Sequence, residues 1–168
     1  MLTELDHLPE KFLHVEATEL HDILPGPTLI HLPGRRETPL FVSILLHGNE
    51  DTGLKAIQAV LKKYQQQLLP RALSLFVGNI EAARAGVRRL QDQVDFNRVW
   101  PSDEHTQLTE EHRMMQAVTD IMTRRGVFAS IDIHNNTGLN PHYACINRLD
   151  EPFLHLATMF SRIVVYFT

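Results

Sequence analysis

The feature that most constrains the fold is an apolar run that leads directly into a polar loop. Six of the seven residues from Leu40 to Leu46 are apolar. A nearly continuous run of this kind is typical of a central strand that is covered on both faces. The next residues are His47-Gly48-Asn49-Glu50, so an imidazole and a carboxylate follow the strand three positions apart. These two side chains could bind one metal ion, which would need a third ligand from elsewhere in the chain.

Strand-like and helix-like segments alternate after residue 39. This alternation predicts an α/β fold with three layers, αβα, in which helices cover both faces of a mixed, mostly parallel sheet. Helices are predicted from Glu50 to Pro70, over 109–125 and over 151–162. The predicted strands are 11–16, 28–32, 39–46, 73–77, 127–133, 143–146 and 163–167.

The helix predicted over 109–125 has clear signals at both ends. Two glutamates lie in its first turn, two arginines lie in its last turn, and Gly126 follows. These residues suit the helix dipole and a glycine C-cap. Its expected core face is Met114, Met115, Val118, Ile121 and Met122.

A second strand also ends in a histidine, in the segment Ile131-Asp132-Ile133-His134. Ligands of open α/β sheets bind outside the carboxyl ends of the strands, so His134 is expected near His47 and Glu50. Two histidines and a glutamate that leave one position open form a known catalytic zinc set. Asp132 is expected on the same strand face as His134, where it could orient the ring.

Further candidate residues lie between these two strand ends. Asn97 and Arg98 could bind a carboxylate, because a guanidinium offers two parallel donors and the amide a third. Arg88 or Arg89 could stabilise a developing oxyanion. Taken alone, Asn97 and Arg98 are more typical of a solvated surface loop, and the same explanation is open for Arg88 and Arg89. The chain's ten histidines also raise the number of patterns that arise by chance.

Composition excludes several classes of function. A net charge of -4 with scattered basic residues argues against nucleic acid as a partner. No apolar run approaches the ~20 residues of a membrane span. The single cysteine excludes an internal disulfide and fits a reducing cytosol, so a cytoplasmic location is expected. The oligomeric state stays open, with a homo-oligomer among the alternatives.

The chain resembles the succinylglutamate desuccinylase/aspartoacylase family, which is zinc-carboxypeptidase-like in fold. The resemblance rests on three motifs in the family's order, His47–Gly53, Asp95–Arg98 and Asp132–Asn135. It implies a zinc-dependent hydrolase of the amide bond of an N-acyl amino acid, with one Zn²⁺ per chain. By resemblance, His47, Glu50 and His134 would bind zinc, while Asn97 and Arg98 would bind the substrate carboxylate.

Two departures from the family pattern affect the expected site. The oxyanion arginine normally lies eight residues before the last arginine of the second motif, where this chain has Leu90, so Arg89 is preferred and Arg88 is the second choice. No residue matches the family's general-base glutamate, and the family's C-terminal β-domain has no counterpart. Residues 1–168 are therefore expected to form a single catalytic domain that is truncated at its C-terminus, and the run 163–167 is expected to be buried.

The alternatives belong to other classes. The first is a catalytically incomplete fragment that binds a metal or a small ligand but lacks the general base. The second is a cysteine hydrolase built on Cys145 near His142, and the third is a plain structural domain.

Overall fold

The computed structural model describes residues 1–102, 109–136 and 138–167. Two short 3₁₀ helices, Ala17–Asp22 and Phe96–Arg98, accompany the regular elements. The strands are β1 (Thr3–Leu5), β2 (Thr28–Leu32), β3 (Leu40–Ile44), β4 (Leu73–Val77), β5 (Ala129–Asp132), β6 (Ala144–Ile146) and β7 (Val164–Tyr166). The helices are α1 (Thr52–Lys63), α2 (Ile80–Arg84), α3 (Glu110–Arg125) and α4 (Glu151–Phe160).

The main sheet has five strands in the order β1-β2-β4-β3-β5. β3 pairs in parallel with both β4 and β5, and β1 pairs in parallel with β2. Only the pairing of β2 with β4 is antiparallel. The predicted mixed, mostly parallel sheet is therefore confirmed. Because β3, β4 and β5 run in the same direction, their carboxyl ends share one edge of the sheet.

Hydrophobic clusters lie on both faces of this sheet. Alternate side chains of β3 point to opposite faces, so Val42 packs in one cluster and Phe41 in the other. The buried side of α1, including Leu54 and Leu61, belongs to the cluster of Val42. The buried side of α3, including Met115, belongs to the cluster of Phe41. The predicted three-layer arrangement is confirmed.

The ends of α3 match their sequence signals. The side chain of Thr109 accepts a hydrogen bond from the backbone N–H of His112. Gly126 follows the helix in the left-handed region, with φ of 66°, and its N–H bonds to carbonyls of the last turn. The five residues expected on the core face are all buried.

Other expectations about local structure are wrong. Residues 11–14 form a turn and 15–16 have no regular structure, so the predicted strand is absent there. Lys11 has a φ of 78°, and the first strand is β1. The helix after Glu50 ends at Lys63 rather than near Pro70, which leaves Leu68 exposed. The predicted helices do not include α2, which follows β4 at Ile80–Arg84. These elements are short, and their sequences carry too few turns of a helix or too few strand residues to show a period.

The chain divides into two compact units, Met1–Asn135 and Asn136–Thr168. In the second unit, β6 and β7 pair in parallel and α4 connects them. The expectation that 163–167 is buried is wrong, because Val165, Tyr166 and Phe167 are exposed. The single-domain expectation stays a prediction. Among the described residues, no helix has the length and hydropathy needed to cross a bilayer.

The second unit also bears on the cysteine hydrolase alternative. Cys145 is exposed on β6. The ring of His142 packs edge-on against Phe160, with a centroid distance of 5.6 Å. The carbonyl of His142 accepts a hydrogen bond from the Ser161 hydroxyl at 2.9 Å. The nearby histidine is thus engaged with α4 and its following residue, which gives the cysteine alternative no support.

Candidate metal centre

A sharp turn at the end of β3 delivers His47 and Glu50 to the carboxyl edge of the sheet. Leu45, one residue past the strand, has a φ of 54°, which is unfavourable for a residue with a side chain. Its side chain is fully buried, and its carbonyl accepts a hydrogen bond from the Asn79 N–H at 2.6 Å. Core packing and this bond therefore hold the turn. His47 and Glu50 are both buried beyond it.

Gly48 allows the loop to lie directly on α2. A Cβ at this position would lie 2.2 Å from the carbonyl carbon of Ala82 and 2.2 Å from the nitrogen of Ala83. Only glycine permits such a close approach of two backbones. The N–H of Gly48 also donates to the carbonyl of Arg88 at 3.0 Å. The loop is thus joined to the segment that follows α2.

His47, Glu50 and His134 converge into one cluster. His47 Nδ1 lies 2.9 Å from Glu50 Oε1, and His134 Nδ1 lies 2.9 Å from Glu50 Oε2. One ligand atom from each residue can be chosen so that all three lie within 4.8 Å of one another. The structure therefore brings together the three residues that were predicted from the sequence as metal ligands.

The other ring nitrogen of each histidine contacts an aspartate. His47 Nε2 lies 2.9 Å from Asp95 Oδ1, and His134 Nε2 lies 2.6 Å from Asp132 Oδ2. The Ser43 hydroxyl donates to the second oxygen of Asp132 at 2.7 Å. Carboxylates in this position place the proton on Nε2 and leave the Nδ1 lone pair directed at a metal. Both histidines are thus oriented in the same way towards Glu50.

The contacts at Nδ1 fit a divalent cation. His47 Nδ1 is buried and makes no hydrogen bond to any of the residues that the structure describes, although Glu50 Oε1 is 2.9 Å away. A lone pair and a carboxylate oxygen repel at this distance unless a proton or a cation lies between them. Two imidazoles and a carboxylate are a donor set that zinc accepts, and they leave a position for water or substrate. The residues present therefore fit a zinc ion.

The charges around the cluster shift two pKa values. Burial by itself lowers the pKa of His134, but hydrogen bonds and negative charge from Asp132 and Glu50 outweigh burial and raise the pKa above its ordinary value. Burial by itself raises the pKa of Asp95, but hydrogen bonds from His47, the Asn97 N–H and Arg88 lower it below its ordinary value. Protonated His134 and a metal ion therefore compete for the same carboxylate.

Arg88, rather than Arg89, adjoins the metal cluster. Its guanidinium donates to Glu50 Oε1 at 3.2 Å and to Asp95 Oδ2 at 3.2 Å. Arg89, the residue preferred from the sequence, donates instead to carbonyls of its own loop, including that of Gln93 at 2.8 Å. The structure thus brings Arg88, the second choice from the sequence, to the cluster, while the oxyanion role of either arginine stays a prediction.

Asn97 and Arg98 lie beside the cluster, in the 3₁₀ helix that follows Asp95. The Asp95 side chain caps this helix by accepting the Asn97 N–H at 2.9 Å, and the same oxygen contacts His47. The Arg98 guanidinium is exposed and donates to the carbonyl of Asn97 at 3.2 Å. The pair is thus anchored to the metal cluster through Asp95, without being part of it.

Three contacts of the site, which are made by Asp95, Ser43 and Arg88, were not predicted from the sequence. Asp95 begins the motif that contains Asn97 and Arg98, yet only the fold pairs it with His47. Ser43 is the one polar residue in the apolar run of β3, and that break was the available signal. Partners such as these depend on which loops meet, so residue spacing alone does not reveal them.

The fold and this cluster define an α/β protein in which two histidines and a carboxylate that could hold a metal ion lie at the carboxyl edge of the parallel strands. The catalytic-domain profile of the succinylglutamate desuccinylase/aspartoacylase family matches residues 39–165. The chain belongs to this family, whose members are hydrolytic deacylases that typically depend on zinc.

Two solved structures are similar in fold. Succinylglutamate desuccinylase from Vibrio cholerae is 15% identical, with a TM-score of 0.51, and the match covers 64% of this chain and 33% of that protein. The desuccinylase from Vibrio parahaemolyticus is 18% identical, with a TM-score of 0.50, and the match covers 66% of this chain and 40% of that protein. The match thus spans well under half of either solved structure. Comparison with curated proteins gives no match.

Proposed function

We propose that this chain forms the metal-binding part of a zinc-dependent hydrolase that cleaves the amide bond of an N-acyl amino acid. The observation that carries the proposal is the convergence of His47, Glu50 and His134, whose ligand atoms lie within 4.8 Å of one another. Membership of a deacylase family supports the choice of an acyl-amide substrate. The acyl group and the amino acid are left open.

The chain's own residues prepare the site for zinc. His47 and His134 would each offer Nδ1, and Glu50 would offer a carboxylate oxygen. Asp95 and Asp132 hold the Nε2 protons, which keeps both rings in the tautomer that can bind a metal. When bound, zinc would act as a Lewis acid and lower the pKa of a water ligand to about 7.

Binding of the substrate would depend on the loop from Arg88 to Arg98. Asn97 and Arg98 would hold the carboxylate of the amino acid, since an arginine offers two parallel donors to a carboxylate. Arg88 or Arg89 would stabilise the negative charge that develops on the scissile carbonyl oxygen. The contact between Arg88 and Glu50 favours Arg88 for this role, because it places the guanidinium next to a carboxylate that would bind the metal.

The first test is metal content, followed by hydrolysis. After preparation with zinc and removal of excess metal, the chain is expected to retain one zinc ion, and His47→Ala is expected to lose it. The zinc-loaded chain is then assayed with N-succinyl and N-acetyl amino acids. Equal, negligible zinc in both proteins would refute the metal centre.

A second candidate function is metal or small-ligand binding without hydrolysis. Each carboxylate at the cluster, on Glu50, Asp95 and Asp132, already accepts hydrogen bonds on both oxygens from described residues. None of these three is therefore a free general base. Tight zinc binding without any hydrolysis across the substrate panel would favour this candidate.

A further inference from the structure

Negatively charged side chains outnumber positively charged ones around His47 and His134. Glu50, Asp95 and Asp132 bring three carboxylates to the two histidines, and Arg88 is the cation whose guanidinium contacts two of them. Arg88 Nη1 approaches Glu50 Oε1, which is the same oxygen that His47 Nδ1 faces at 2.9 Å. A metal ion bound by His47 and Glu50 would therefore share this oxygen with the guanidinium.

The two carboxylates that Arg88 contacts are oriented by other groups. Glu50 is buried, and its Oε2 accepts the backbone N–H of Asn135 at 3.0 Å. Asp95 accepts the Asn97 N–H at 2.9 Å in addition to its contact with His47. The two bonds of Arg88 are longer, at 3.2 Å each, and its side chain is 48% exposed. Arg88 therefore acts mainly through its positive charge, and other groups fix the orientation of the Glu50 and Asp95 carboxylates.

We propose that Arg88 is a resident counter-cation that competes with the metal for Glu50 and thereby weakens the zinc affinity of the site. The inference rests on the proposed function, because it takes His47, Glu50 and His134 as the metal ligands. Like charges repel, so a guanidinium in contact with a ligand carboxylate raises the free energy of a divalent cation at the same carboxylate. This role in metal affinity is separate from the stabilisation of an oxyanion.

The test compares zinc affinity in variants of the full chain. Affinity is measured by competition with a chromophoric chelator at about pH 8, where protons compete less for the histidines. Arg88→Gln is expected to bind zinc about tenfold more tightly than the wild type. The effect is no larger because the Arg88 side chain is half exposed and solvent screens its repulsion of the metal. Arg88→Lys keeps the charge and is expected to stay close to the wild type. The difference between Arg88→Gln and the wild type should shrink at high salt, because salt screens exposed charges.

Controls separate this inference from the proposed function. Arg84→Gln removes a positive charge at the exposed end of α2 and is expected to leave zinc affinity unchanged. Arg88→Met provides a second neutral side chain if Arg88→Gln folds poorly. An unchanged or weaker affinity in the neutral variants would overturn the counter-cation role, and a loss of tenfold or more would show that Arg88 orients the ligands. If the wild type itself binds no zinc, the proposed function fails and this inference fails with it.

Discussion

Replacing Gly48 with alanine tests how the loop that carries His47 and Glu50 is positioned. The added Cβ would lie 2.2 Å from two backbone atoms of α2, at Ala82 and Ala83. Ordinary contacts of a Cβ are 3.4–4 Å, so the loop and α2 would have to separate by about 1 Å. Neither backbone segment can rotate out of the way as a side chain could. The clash therefore has to be relieved by displacing the loop that carries His47 relative to α2.

We expect Gly48→Ala to lower both stability and zinc affinity. Overpacking of this severity costs about 3 kcal/mol of the free energy of unfolding. For a chain of 168 residues, this corresponds to a drop in Tm on the order of 10 °C. A shift of about 1 Å would also disrupt the 2.9 Å contact of His47 with Asp95, so zinc affinity should fall by about tenfold or more. Thermal unfolding by circular dichroism and a chelator competition titration measure the two effects.

Gly86→Ala is the matched control for the Gly48 variant. Gly86 has a φ of 65° and open space around its Cβ position, so alanine there is strained without meeting a neighbour. It is expected to cost about 1 kcal/mol of stability while zinc affinity stays unchanged. If Gly48→Ala has the Tm and zinc affinity of the wild type, the close approach of the two backbones is not what positions the metal-binding loop.

Three further changes test the charges of the site and the core. Asp132→Asn should weaken zinc binding by about tenfold or more, because an amide orients the His134 ring less well than a carboxylate. The control Asp120→Asn, at an exposed position, should leave zinc affinity unchanged. If Asp132→Asn binds zinc as tightly as the wild type, Asp132 does not orient His134. Zinc affinity should fall as the pH drops through the raised pKa of His134, because binding must displace its proton; an affinity that does not vary across that range would contradict the competition. Burial and Arg125 lower the pKa of His31, so the unfolded chain binds this proton more readily and stability should fall as the pH drops from the ordinary imidazole pKa towards the folded-state value. Urea unfolding at several pH values should show that His31→Gln removes this loss while the exposed His7→Gln does not.

The sequence predicted the elements whose local signals agree with their burial. The apolar run of β3 indicated a central strand, and four of the five strand residues are buried. The signals at both ends of α3, from Thr109 to Gly126, gave its extent to within a residue. Short elements were missed, since β1 has three residues and α2 has five, fewer than two full periods of a helix. Their conformation is set by the neighbours they pack against.

The convergence of His47, Glu50 and His134 was predictable because strand ends share an edge. His47 and His134 each follow a strand of one parallel pair, so topology alone brings them together. The contact of Asp132 with His134 could be predicted because side chains two residues apart on a strand point to the same face. The contacts of Asp95 and Arg88 depend on the fold of a loop without periodicity. The motif spacing that favoured Arg89 over Arg88 as the oxyanion arginine therefore could not show which of the two contacts Glu50.

The position of β5 at the end of the main sheet has a consequence for the order of folding. Glu50 and His134 are separated by 84 residues, and β5 pairs with β3 alone among the strands of that sheet. Closing so long a loop is entropically unfavourable, so we expect contacts across it to form late. Until β5 docks, His47 and Glu50 offer only two ligands and bind a metal ion weakly. Zinc would therefore bind after most of the sheet has formed and would not nucleate folding. Its uptake would then report the docking of β5.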